Sequence, residues 1–403
     1  MQLVSVKKAY SYDTQRAVPP EETLARIEPR LPAAGITRVA DITNLDRIGI
    51  PVFSSIRPMA GAGAITVYNG KGATPAEAKV SAMMEGIERF SAEVGDREPL
   101  TGSYPAILSR SPAVDPVSLI LPAGADPTRP LPWIKGHDLM NGGEILVPAH
   151  AVFHPLPPEY PRLFRTNTNG LASGNTREEA IFHALMEIVE RDAWSLVETT
   201  RNTGPLVVNT GEGLPGELLK KFSDADVEVR IKNITSNLGI PTFAAVSDDL
   251  RLRDPALLTI GMGTHTNARI ALLRALTEVA QSRLTQIHGA REDTTVADFR
   301  RRIGYDRTRR MNRYWFDGDG EVDFRTIPSC DTDDFLTDIR YTLGVLKGAG
   351  FAHTIVVDLT RQEIGVPVVR VVVPGLEVYA MDQERIGPRC RDARNRHLSR
   401  PEP

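Results

Sequence analysis

The sequence predicts an α+β fold built as one unit, on three observations. Segments of helical and strand character alternate along the 403 residues. No Ser- or Gly-rich linker separates them. One helical stretch recurs in register later in the chain, as expected of a fold that uses the same packing unit more than once.

The elements follow in order. PPEETLARIEPRL reads as a helix, with Pro19 and Pro20 suited to its first turn and Glu21 and Glu22 placed to favour the helix dipole. ITRVADITNLDRIGIPVFSSIRP reads as strands broken by turns. A long amphipathic helix is expected from Gly70 to about Val94, and residues 99–165, rich in Pro and Gly, as loops and edge strands such as GGEILVPAHAVF. A second long helix is expected from about Thr176 to Val197. LVVNT, VEVRIKNI and PTFAAVSD then read as strands, and a third helix covers about Ala268 to Gln286. HTIVVDL and VPVVRVVVPGLEVYAM are dense in β-branched residues and read as buried strands.

Composition narrows the function classes. With 51 acidic against 48 basic residues, the net charge of -3 excludes a polybasic nucleic-acid binder, and 41% hydrophobic with 25% charged residues is an ordinary globular balance. Cys330 and Cys390 stand far apart without a CxxC, which excludes a disulfide scaffold and a cysteine zinc site. No apolar run is long enough for a signal peptide or a membrane span, so a cytoplasmic protein that meets no membrane and no nucleic acid is expected.

The repeat carries the chemistry. GATPAEAKVSAMMEGIER, from Gly72 to Arg89, aligns without a gap on GNTREEAIFHALMEIVER, from Gly174 to Arg191. ARIALLRALTEVAQSR repeats the ending, with Glu278 and Gln281 where the others carry glutamates. Glu85 and Glu88 lie three positions apart, on one side of a helix, and Glu187 and Glu190 repeat that spacing. Apolar neighbours at helical spacing place these acids beside a packed seam. If the helices converge, the carboxylates crowd one volume, and like charges there call for cations. Mg²⁺ suits them, since it takes oxygen ligands and bridges one or two carboxylates to phosphates. Arg89, Arg191 and Arg283 are placed to bind carboxylates or phosphate. Against this, a single ExxER is usually a solvated helix face, and duplication of a structural helix would also repeat it.

Other signals are weaker. Asn69-Gly70-Lys71-Gly72 and Ser173-Gly174-Asn175-Thr176 each precede a long helix, where an anion or a plain cap fits, and neither has Walker A spacing because Ile65 stands where its first Gly is required. His265 is a lone histidine, more often structural than catalytic. FRRRIGYDRTRRMNRYWF is basic and aromatic, but the acidic DGDGEVDF follows it, which reads as a surface helix with local charge balance.

The ordered set YNGKGAT, SAMMEGIERFSAE, TNGLASGNTREEA, LMEIVERDA, GTH, RALTEVAQSR and VVRVVVPGLE resembles the YcaO family of ATP-dependent enzymes that activate peptide backbone amides. The resemblance spans nearly the whole chain. It implies one catalytic unit over residues 1–403 with a family core near 60–385, formed of mixed, largely antiparallel sheets and long helices lining an ATP site. It implies Glu85, Glu88, Glu187 and Glu190 for Mg²⁺, with Arg191 on the phosphates. Arg16, Thr23, Arg26, Asn175, Glu179, Glu278 and Gln281 match further nucleotide contacts. Ala172 departs from relatives that carry Ser there, and Arg16 replaces a Lys.

ITRVADITNLDRIGIPVFSSIRP and REDTTVADFRRRIGYDR are similar to the stand-alone group linked to thioamide formation on a glycine of the methyl-coenzyme M reductase α subunit, usually with a TfuA-type partner for sulfur delivery. The implied reaction adds sulfide to a backbone amide and transfers the γ-phosphate of ATP to its oxygen, whose loss as phosphate leaves the thioamide. Alternatives are an azoline-forming cyclodehydratase, whose nucleophile is a Cys, Ser or Thr side chain, and a non-catalytic ATP-binding scaffold. Azoline-forming relatives tend to end in a Pro-x-Pro-x-Pro tail, of which Pro401-Glu402-Pro403 carries only the last part. A homodimer is expected.

Overall fold

Three sheets each carry one of the repeat-related helices. The computed structural model describes residues 1–292, 295–318 and 320–398, so the tail from Ser399 to Pro403 lies outside the described residues. The first repeat helix, Pro75–Ala92, packs on an antiparallel sheet of Arg38–Asp41, Val52–Ile56 and Val67–Lys71. The second, Arg177–Thr200, packs on Val368–Val372 and Leu171–Ser173, strands of a six-stranded antiparallel sheet with Leu100–Gly102, Leu131–Asp138, Glu144–Pro148 and Ile355–Asp358. The third, Ala268–His288, covers a five-stranded sheet in the order Ile260–Thr264, Thr242–Asp249, Val227–Asn233, Leu206–Val208, Glu321–Asp323, whose last pair is parallel. This is the mixed, largely antiparallel α+β architecture expected.

Local chemistry sets the helix starts. Thr74 Oγ1 accepts from Glu77 N (3.3 Å) and Glu77 Oε2 accepts from Thr74 N (2.9 Å), a reciprocal cap before Pro75. The expected start at Gly70 is therefore early by a few residues, because Val67–Lys71 is a strand. Gly70 is what lets strand and helix meet: a Cβ there would lie 1.9 Å from Ala82 N. Gly263 does the same under the third helix, where a Cβ would lie 2.0 Å from Ala271 O. In the second copy Thr176 Oγ1 accepts from Glu179 N (3.1 Å), but the Glu179 carboxylate turns to the amino-terminal segment instead of back to its cap. That helix runs one turn beyond Val197 and stops where Arg201 turns left-handed (φ 56°).

Three expectations need correction. The amino-terminal helix ends at Ile27 and continues as a 3-10 turn, Glu28–Ala34, because Pro29 and Pro32 supply no N–H. Leu131–Asp138 is not an edge strand but a central one with three partner strands, and its Trp133 is fully buried. The basic segment is three short helices, Thr295–Ile303, Tyr305–Met311 and Arg313–Phe316, interrupted by Gly304 (φ 80°) and Asn312. Its Trp315 and Phe316 are buried, and acids from elsewhere, Asp248 and Asp254, pair with Arg309 and Arg301. A carboxy-terminal helix, Pro388–Leu398, was not anticipated; it packs on the second repeat helix, where Arg389 pairs with buried Asp192 (2.7 Å).

The apolar core follows the three sheets. Met83, Met84 and Ile87 of the first helix join Trp133, Ile355 and Val357. Ile181, Leu185 and Ile188 of the second meet Val369, Val371 and Phe335. Leu272, Leu276 and Val279 of the third meet Phe243 and Ile231. With their apolar stripes so occupied, the helices leave their acidic positions facing one another. No helix among the described residues is long and apolar enough to cross a membrane.

Candidate active site

A cleft of about 1300 Å³ runs between the three repeat helices. Glu85 and Glu88 enter it from the first helix, Glu187, Glu190 and Arg191 from the second, and Glu278 and Gln281 from the third. The convergence that the repeat required is therefore present.

The carboxylates are held in different electrical states. Glu85 pairs with Arg89 (2.5 Å), and although burial opposes it, the guanidinium keeps this carboxyl below its usual range. Glu88 is pushed up to about 8, first by burial and then by the charge of Glu85, against hydrogen bonds from Ser173. Glu190 is pushed up to about 7 by burial and by Glu278. Burial opposes Glu278 as well, but Lys71 and Arg191 hold it low. Glu187 is raised by burial. Sequence spacing suggested acid pairs along single helices, whereas Glu190 is coupled across the cleft to Glu278.

This set of donors fits Mg²⁺. Among the described residues no three His, Cys, Asp or Glu side chains form one closed metal-ligand group. Mg²⁺ does not need one, since it commonly takes one or two carboxylates and completes its shell with water and phosphate oxygens. Hard oxygen donors raised by neighbouring negative charge are in the state that a cation relieves. Arg16, Lys71, Arg89, Arg165, Arg191 and Arg274 also line the cleft, which offers the cations that a triphosphate requires.

At the amino-terminal ends of the helices, Arg16, Thr23, Asn175 and Glu179 line the cleft as one network. Asn175 Oδ1 accepts from Thr23 Oγ1 (3.0 Å), and Asn175 Nδ2 donates to Glu179 (3.2 Å). Glu179 in turn accepts from Arg16 Nη1 (3.2 Å) and Ala17 N (2.9 Å). Arg26 does not line the cleft; its Nη2 donates to Asn175 Oδ1 (2.6 Å) from behind. Ala172 lines the wall, and beside it Ser173 donates to Glu88. Gln281 Nε2 donates to Asn69 O (2.5 Å), and Arg191 stacks over Trp194 at 5.3 Å. Arg283 lies outside, buried between Asp46 and Asp249. His265 is fully buried, accepts from Asn267 N through Nδ1 (2.9 Å), and does not line the cleft. Cys330 and Cys390 are free thiols whose ionisation burial disfavours.

Two positions near the cleft were missed. Lys71 was only part of a glycine turn in the sequence, and its signal was its place just ahead of the first repeat. Arg370 was the single charge in VVRVV, an unusual residue for a buried strand. It holds the cleft-lining Asn167 through the backbone carbonyl (2.9 Å), and burial lowers its guanidinium to about 9.

Known proteins resemble this chain in sequence and in fold. A family model described as YcaO cyclodehydratase, ATP- and Mg2+-binding, matches residues 69–377. An uncharacterized protein of Methanothermobacter thermautotrophicus is 52% identical over 385 residues, covering 94% of this chain and 99% of its own. An uncharacterized protein in the tfuA 3′ region of Rhizobium leguminosarum bv. trifolii is 33% identical, covering 90% of this chain and 89% of its own. Among solved structures, that of YcaO from Methanopyrus kandleri bound with AMPPCP and Mg2+ superposes with a TM-score of 0.79 at 31% identity, covering 95% of this chain and 98% of the other.

Proposed function

The chain belongs to the YcaO family of ATP-dependent, Mg²⁺-binding enzymes, and from that premise we propose that it activates a backbone amide of a peptide or protein by O-phosphorylation and installs sulfur to form a thioamide. The observation that carries this reading is the convergence of Glu85, Glu88, Glu187, Glu190 and Glu278 from three helices in one cleft with Arg191. Bound there, ATP with Mg²⁺ supplies the phosphoryl group that makes the amide oxygen a leaving group. The four glutamates of the first two helices would hold the metal and Arg191 would meet the phosphates, with Glu278 and Gln281 completing the wall. Arg16, Thr23, Asn175 and Glu179 would contact the nucleotide, with Arg26 setting Asn175. The chain's task is positioning and charge neutralisation.

The relative from a tfuA 3′ region supports the thioamide branch with a TfuA-type partner, and a glycine of the methyl-coenzyme M reductase α subunit is the proposed substrate. Azoline formation is the second reading, favoured by the cyclodehydratase description of the matching family model. Intact mass analysis of a candidate peptide incubated with enzyme, ATP, Mg²⁺ and sulfide separates them. Exchange of one oxygen for one sulfur is expected; loss of one water gives the branch to the azoline reading, and an unchanged peptide with idle ATP turnover overturns both.

A further inference from the structure

Lys71 is the one lysine that lines the cleft among the described residues, and its Nζ sits on the Glu278 carboxylate. Its other charged neighbours are Glu190 and Arg274. Its position is fixed by the backbone: Lys71 ends the strand Val67–Lys71, whose Gly70 is pressed against the first helix, and next to it a Cβ on Gly72 would lie 2.5 Å from Glu77 Cβ. The side chain is only 14% exposed, so the ammonium cannot move far into water.

We propose that Lys71 is a resident counter-ion that holds Glu278 beside Glu190 until a metal arrives, and then turns to a phosphate oxygen of the nucleotide. The ammonium on Glu278 is also a charged neighbour of Glu190, so it weakens the negative field that a divalent ion on Glu190 would feel. With the ion on Glu190, the two cations repel each other, and the phosphate chain is the anion to which the displaced ammonium turns. Lysine suits this exchange better than arginine, being a compact point charge on a flexible stem. The inference rests on the proposed placement of metal and triphosphate in this cleft.

Its test uses two readouts that must move in opposite directions. In Lys71→Met, Mn²⁺ binding without nucleotide, followed by electron paramagnetic resonance, is expected to tighten about threefold or more, because a competing cation has gone. The KM for ATP is expected to rise about tenfold or more, because a charge-assisted contact to phosphate has gone. If Lys71→Met does not fold, Lys71→Gln, which keeps a hydrogen bond to Glu278, is read the same way. Either readout unchanged overturns the proposal. Glu190→Gln is the control for its premise: if that variant binds Mn²⁺ and ATP as the parent does, the placement of the metal has failed rather than the role of Lys71.

Discussion

Ser173 donates both its backbone N–H (2.8 Å) and its hydroxyl (2.7 Å) to Glu88 Oε1, so the strand that leads into the second repeat helix grips a glutamate of the first. Both bonds favour the ionised carboxylate, against the burial and the Glu85 charge that raise it. Ser173→Ala removes one bond to a charged group, a loss of about 1.5–3 kcal/mol. Calorimetric titration is expected to show weaker Mg²⁺ binding at pH 7, with less of the deficit at pH 9, where the two proteins differ less in the ionised fraction of Glu88. An equal deficit at both pH values would disprove this role.

Glu85→Gln and Glu190→Gln should each reduce peptide-dependent ATP consumption by at least about a hundredfold, since each removes a charge from the proposed metal site. Glu190→Gln should unfold within a few degrees of the parent, because crowding raises that carboxyl, whereas Glu85→Gln also gives up the pairing with Arg89 and should be the less stable of the two. Near-normal turnover in both variants would sink the site assignment.

Arg26 reaches the cleft only through Asn175. Arg26→Met is expected to raise the KM for ATP less than Asn175→Ala does and to leave kcat nearly unchanged. A larger effect of the arginine than of the asparagine would mean that Arg26 touches nucleotide itself.

Gly70→Ala places a methyl group 1.9 Å from Ala82 N, in a strand and helix that cannot both give way. Destabilisation of more than about 3 kcal/mol is expected in urea titration. A variant as stable as the parent would show that the first sheet can shift off its helix.

His150 is buried beside Phe164, donates to Pro161 O (2.7 Å), and burial lowers it to about 4. Its folded value lies below the free value, so its stabilising contribution is complete above about pH 6.5 and is lost as pH falls towards 4. At pH 5 that loss is about 2 kcal/mol relative to pH 7. His150→Gln keeps a donor and removes the titration, so its urea stability should fall less between pH 7 and pH 5 than the parent's. Parallel curves would show that His150 titrates normally.

Much of the site was legible before folding, because the ExxE spacing belongs to single helices and each helix announces itself by caps and apolar periodicity. Glu85 with Glu88, and Glu187 with Glu190, are local facts of that kind. The crossed relationships were not legible. Glu190 is coupled to Glu278, Ser173 to Glu88 and Lys71 to Glu278, and each pair joins different sheet and helix units. Leu131–Asp138 was misplaced for a similar reason, since Lys135 and Gly136 disguise a strand that also pairs with Ile355–Asp358, far along the chain.

By itself the sequence determined the repeated helices, their acidic faces and the number of carboxylates available to a cation. Those depend on helical periodicity and capping, which act over a few residues. The tertiary structure decided which carboxylates face one another, which cation guards each, and that Arg26 and Arg370 work from behind the wall. Those outcomes depend on how three sheets bring their helices together, and charge interactions in a cleft follow distance in space rather than separation along the chain.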